Sequence, residues 1–180
     1  RFDEGTDSKI DAATEARLIK HIENAYKSCD AILISDYNIG VITDRVISKL
    51  LEWQRLSKKL LMVDAKSYER YRILKPDFIK PNYQEALKIT GELYAQSRKE
   101  QVKKWGALLA AQTGAANIVL TMDKDGIAHF GQSEFISHYE VEQVVAPQVS
   151  GAGDSFISAF LLSVLSGANA NDAIALAVHA

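Results

Sequence analysis

The sequence predicts an α/β domain layered around a mostly parallel sheet. Three observations lead there. Short unbroken apolar runs such as AILIS (31–35), LLMVD (60–64) and NIVLT (117–121) have strand length and no polar alternation, the mark of strands buried on both faces. Stretches of helical periodicity lie between them, with short connections. Only thirteen of the 180 residues are Pro or Gly, so no long disordered linker interrupts the alternation.

Taken in order, residues Leu18, Ile19, Ile22, Ala25 and Tyr26 recur at helical spacing within Asp11 to Cys29, and strand 31–35 follows. Thr43 suits an N-cap for a helix through Lys58, and 60–64 is a second buried strand. DFIK (77–80) reads as a short third strand, and a helix opens at Asn82, where N-x-x-E is a capping box. A helix from Lys99 to Thr113, ended by Gly114, precedes the fourth strand at 117–121. GIAHFG (126–131) and EFISHYEVEQVV (134–145) have the texture of a hairpin or meander. One helix starts at the GAGD turn (151–154) and ends near Gly167, and a last one starts near Asn171.

Composition narrows the function. Forty-seven per cent of residues are hydrophobic and the formal net charge is −2, so no overall basic field exists to hold nucleic acid or an anionic membrane surface. The single cysteine, Cys29, offers neither an internal disulfide nor a Cys-based metal site; it fits a reducing, cytoplasmic setting and reads as a small core residue. The opening RFDEGTDSK has no signal-peptide character, and the longest apolar segment, Phe156 to Leu165, is too short to span a bilayer. A first residue Arg1 and a last helical pattern AIALAVHA suggest a piece of something longer.

Ligands of open α/β sheets sit beyond the carboxyl ends of the strands. Asp36, Asp64 with Lys66, Asn82 with Glu85, and Thr121 all fall at that edge. Each alone also suits a helix cap or a solvated turn. The GAGD turn converges on the same edge: glycines opening onto a helix present free N–H groups and a positive dipole end to a phosphate, and Asp154 either caps that helix or does chemistry beside the phosphate. A dinucleotide fingerprint is excluded, because Phe156 stands where its third glycine belongs. Lys66, Arg70, Arg72, Lys75 and Lys80 form either a solvated basic face or an attractant for a phosphorylated acceptor.

GAGDSF near the end, FIKPNYQEA earlier and LTMDKDG between them resemble the ribokinase-like (pfkB) carbohydrate kinases. RFD, ILISDYNIGVIT and VDAKSYERYR bring the likeness nearest to the kinase half of the bifunctional heptose-7-phosphate kinase/heptose-1-phosphate adenylyltransferases of bacterial lipopolysaccharide synthesis. The resemblance implies a ribokinase-like α/β/α core, incomplete at both ends, with residues 1–180 forming one domain, the C-terminal portion of such a kinase. It implies ATP and Mg²⁺ as cofactors, and phosphotransfer to a hydroxyl of a sugar or sugar phosphate, with D-glycero-D-manno-heptose 7-phosphate first among acceptors; fructose, ribose or nucleoside acceptors stay open. Asp154 matches the family's catalytic base, and Gly151, Ala152 and Gly153 its anion hole. Asn82 and Glu85 match the motif of the Mg²⁺ environment. Thr121, Gly126 and Lys66 fall on the nucleotide side and Asp36 on the substrate side. A homodimer is implied for the intact protein.

The chain also departs from the pattern. Gln148 replaces an Asp that helps hold a monovalent cation, which puts a requirement for that cation in doubt, and Ile39 and Val178 replace the family's Lys and Asn. The family's N-terminal strands and lid have no counterpart here. An inactive nucleotide- or sugar-binding module, or a structural fragment of a larger kinase, is therefore the alternative reading.

Overall fold

A computed structural model describes residues 8–141 and 151–180. Among them six strands form one sheet: β1 (Ala31–Asp36), β2 (Leu60–Ala65), β3 (Phe78–Ile79), β4 (Asn117–Thr121), β5 (Ile127–Gly131) and β6 (Glu134–Tyr139). They lie side by side in chain order. β1 to β4 are parallel, and β5 and β6 add an antiparallel hairpin. The helices are α1 (Ala12–Tyr26), α2 (Asp44–Leu56), α3 (Tyr83–Thr90), α4 (Arg98–Val102), α5 (Gly106–Thr113), α6 (Ala152–Leu165) and α7 (Ala170–Ala177).

The apolar runs of β2 and β4 are unbroken because both faces of the sheet are covered there; β1, expected to be buried on both faces, is instead an edge strand that leaves Leu33 and Ser35 exposed. Leu61 and Val63 of β2 and Ile118 and Leu120 of β4 pack into one core with Val46, Leu50, Leu109 and Trp105. The alternate residues Met62 and Val119 point into a second core with Phe156, Phe160 and Ile174 from α6 and α7. Each fully buried Leu, Val or Phe contributes about 1.5–3 kcal/mol, so the two layers fix the strand register between them. Among the described residues no helix is long and apolar enough to cross a membrane.

Caps set the element starts. Asp11 accepts from the N–H groups of Ala13 and Thr14, Thr43 from that of Val46, and Asn169 from that of Asp172. Three further expectations need correction. The helix expected over 99–113 is two, α4 and α5, because the intervening turn drives Trp105 into the core at 1% exposure and sets Gly106 against the β5–β6 turn. A Cβ on Gly106 would lie 2.4 Å from the Ser133 carbonyl oxygen, so only glycine permits that approach. A 3₁₀ helix, Glu69–Leu74, fills the connection after β2, where no element was expected; its Tyr71 and Leu74 are buried. Cys29 is half-buried in the turn after α1, with its Sγ 3.5 Å from the Tyr26 carbonyl, and is not a core residue. Of the strand expected over 134–145, the described part ends at Tyr139; 142–145 and Gln148 lie outside the described residues.

Candidate active site

The carboxyl ends of β1, β2 and β3 open into a cleft of about 310 Å³, closed on its far side by the start of α6. β1 brings Ser35 and Asp36, followed by Tyr37; β2 brings Asp64 and Ala65, followed by Lys66. Lys80 and Asn82 follow β3, Glu85 sits in the first turn of α3, and Gly151, Gly153 and Asp154 come from α6. Four acids therefore face two lysines.

Gly151 is the N-cap of α6 at φ +89°, a conformation that favours glycine, and among the described residues no atom beyond its chain neighbours lies within 4 Å of where its Cβ would be. The first intrahelical bond is donated by Ser155 to the Gly151 carbonyl, 2.9 Å, so the N–H groups of Ala152, Gly153 and Asp154 have no partner within the helix. Asp154 is thus not the cap. It stands on the first turn of α6, exposed, with both carboxylate oxygens 3.3 Å from the Tyr37 hydroxyl.

Lys80 lies beneath this turn. It is 7% exposed, pairs with Asp64 at 3.0 Å, and its Nζ lies 3.7 Å from the position a Cβ on Gly153 would take. Burial raises the Asp64 carboxyl pKa above its ordinary value, against the pull of the Lys80 ammonium. Asn82 and Glu85 form a complete capping box: Asn82 Oδ1 accepts the Glu85 N–H (2.8 Å), and Glu85 Oε2 accepts the Asn82 N–H (3.0 Å). The other Glu85 oxygen accepts from Lys66 Nζ at 2.8 Å, which raises the Lys66 pKa against the effect of burial.

Asp36 is buried and spends its carboxylate on its own loop. Oδ1 accepts the Asn38 N–H at 2.8 Å and Oδ2 accepts the hydroxyl of Tyr71, whose pKa burial and that bond push upward. Thr121 and Gly126 do not line the cleft. Thr121 bridges to Asn82 and donates its N–H to the Pro81 carbonyl (3.0 Å). Gly126 turns the chain into β5 at φ +87°, where a Cβ would lie 1.9 Å from the Tyr139 carbonyl oxygen. The basic stretch splits: Lys66 and Lys80 enter the cleft, Arg70 pairs with Asp44 (2.7 Å) and lies 3.8 Å from Asp36, and Arg72 and Lys75 are exposed outside it. Sequence reading passes over Tyr37 and Ser35; their signal is position, on either side of Asp36 at the end of β1.

A family model for pfkB carbohydrate kinases matches residues 5–180. The chain belongs to the pfkB carbohydrate kinase family. Among its curated relatives, the bifunctional protein HldE of Desulfatibacillum aliphaticivorans is 33% identical over 180 residues, covering 98% of this chain and 36% of the relative. The HldE of Nitratiruptor sp. is 29% identical, covering 98% and 37%. This pfkB chain thus spans about a third of the length of the curated relatives it matches. Phosphofructokinase-2 from Escherichia coli, solved with substrates and products, superposes at TM-score 0.71 and 18% identity over 88% of this chain and 53% of its own. A ribokinase from Thermotoga maritima superposes at 0.63 and 20%, over 86% and 50%. The pfkB chain has the ribokinase-like fold, with GAGD at the helix start where the sheet's carboxyl edge meets α6.

Proposed function

We propose that this chain is the catalytic floor, the C-terminal portion, of an ATP-dependent kinase that phosphorylates a hydroxyl of a sugar or sugar phosphate. One observation carries the reading: Asp154 stands beside the N–H groups that open α6 without a partner in the helix, and faces the cleft at the sheet's carboxyl edge. Asp154 takes the proton of the acceptor hydroxyl as its oxygen bonds to the γ-phosphorus and the bond from that phosphorus to the β,γ-bridging oxygen breaks, releasing ADP. The N–H groups of Ala152, Gly153 and Asp154, with the positive end of α6, meet charge growing on the transferring phosphoryl. Lys80, under Gly153, adds a positive charge held in place by Asp64.

Four acids against two lysines is an acid excess in a cleft meant for an anionic nucleotide, and it suits a divalent cation carried with the phosphates. Mg²⁺ would neutralise phosphate charge, held largely through water by Glu85 and Asn82. The likeness to the heptose-7-phosphate kinase half supports heptose 7-phosphate as acceptor, and Cys29 as the single cysteine suits a cytoplasmic reaction.

The test uses the longest natural protein that carries this chain, with Mg²⁺, ATP and a panel including heptose 7-phosphate and fructose 6-phosphate. Asp154→Asn should lower turnover of the best acceptor by about 10²–10⁴-fold while nucleotide binding persists. Turnover at the unsubstituted rate overturns the assignment of the base, and nucleotide binding with no turnover of any acceptor by the unsubstituted protein makes the chain a binding module.

A further inference from the structure

We infer that Tyr37 is a positioning residue for this reaction, holding the Asp154 carboxylate through its phenolic hydroxyl; the inference rests on reading Asp154 as the base. Tyr37 is 56% exposed and follows β1 directly, so its ring is not part of either core. Its hydroxyl lies 3.3 Å from each Asp154 oxygen, and among the described residues no other side chain is seen to hydrogen-bond that carboxylate. A donor equidistant from both oxygens restrains rotation of the carboxylate while leaving lone pairs on each for an incoming hydroxyl. At 3.3 Å the bond is longer than the usual 2.7–2.8 Å for an O–H donor. Such catalytic hydrogen bonds commonly tighten only when substrate closes the site.

The placement of Tyr37 is determined by what surrounds it. Asp36, just before it, locks the backbone by accepting the Asn38 N–H, and its own carbonyl accepts the Lys66 N–H at 3.1 Å. Tyr71 anchors the second Asp36 oxygen from inside the core. Asn38 then turns at φ +60°, and Gly40 packs so closely on Ser8 that a Cβ would lie 2.3 Å from its carbonyl oxygen. The loop is thus tied at both ends, and the side chain between them reaches across the cleft to α6. Lys66 Nζ sits 6.0 Å from the centre of the Tyr37 ring while bonded to Glu85, so the tyrosine spans the gap between the Glu85 side of the cleft and the base. Asp36, for which the resemblance implies a substrate-side role, works here as the anchor of this loop.

Tyr37→Phe keeps the ring and removes only the hydroxyl. In the longest natural protein that carries this chain, kcat should fall about tenfold, the equivalent of one hydrogen bond to a charged group, while KM for ATP and for the acceptor stays within about twofold. Single-turnover formation of labelled product follows the slow variants. In an Asp154→Asn background the same substitution should cost nothing further, because the group it positions is gone. Unchanged kcat, a rise in KM alone, or an equal loss in the Asp154→Asn background overturns the role of Tyr37 while leaving the base assignment standing. Full turnover by Asp154→Asn alone removes the base, and this role with it.

Discussion

Lys80 carries a charge into a place where lysine seldom goes, 7% exposed and against the first turn of α6. It stays because Asp64 meets it at 3.0 Å, and the Asp64 side chain is itself only 20% exposed. Removing one partner leaves the other charge buried and unpaired, which costs far more than the intact pair returns. Lys80→Met should therefore destabilise the protein by about 3–5 kcal/mol at neutral pH, read by chemical denaturation. Burial already raises the Asp64 pKa, so the folded state binds this proton more tightly than the unfolded chain does; stability tied to Asp64 is present at low pH and lost as pH rises through its folded pKa. With Lys80 gone, the deficit against the unsubstituted protein should shrink as the pH falls into the carboxylate range. A deficit independent of pH would mean that packing of the lysine stem, and not its charge, is what matters. The sequence places Lys80 in a run of basic residues, where a solvated face and an attractant for phosphate look the same; only burial separates Lys80 from Lys75.

Where β5 meets α7, the sheet and the second helix layer are joined by a polar contact inside an apolar one. His129, 5% exposed on β5, has its Nδ1 3.0 Å from Asn171 Oδ1, which also accepts from the Ser137 hydroxyl at 3.2 Å. Nε2 is buried with no partner among the described residues, so a protonated ring would hold an unsatisfied donor. Burial accordingly lowers the His129 pKa, against the opposing bond to Asn171. A histidine depressed in this way adds stability that is present above about pH 6.5, its unfolded value, and is lost as pH falls. Thermal melts from pH 7.5 to 5 should show that loss, and His129→Gln should flatten it; an unaltered slope would place the titration elsewhere. Element boundaries follow the same division of labour. Asn82 and Thr43 announce their helices in sequence because a cap is a local interaction. The break between α4 and α5 is not announced, because it depends on Trp105 finding the core and Gly106 meeting Ser133, a residue 27 positions away.

For the 180-residue chain taken by itself, β1 is the exposed edge of the sheet among the described residues. It ends the strand order and pairs, among the described residues, only with β2, yet its sequence is the apolar AILISD. Leu33 is 36% exposed on it, and Leu162, Leu165 and Leu176 are exposed on α6 and α7. An unpaired apolar edge strand is a template for association. The 180-residue chain should form larger species as its concentration rises, measured by light scattering after size exclusion, and Leu33→Lys should reduce them. Concentration-independent monomer would show that the edge is protected.

The order of the strands, the buried character of β2 and β4, the caps at Thr43 and Asn82 and the GAGD helix start were determined by the sequence itself, because periodicity, capping and turn chemistry act within a few residues; β1 has the same apolar texture but is an edge strand with Leu33 exposed, because strand order and not local pattern sets its neighbours. Tertiary structure decided which polar residues meet. It set Tyr37 against Asp154 across 117 positions, buried Lys80 on Asp64, turned Asp36 into the anchor of its own loop, and left Thr121 and Gly126 outside the cleft. The physical reason is range: a side chain's neighbours across a sheet edge are fixed by strand order and register, which no local pattern encodes.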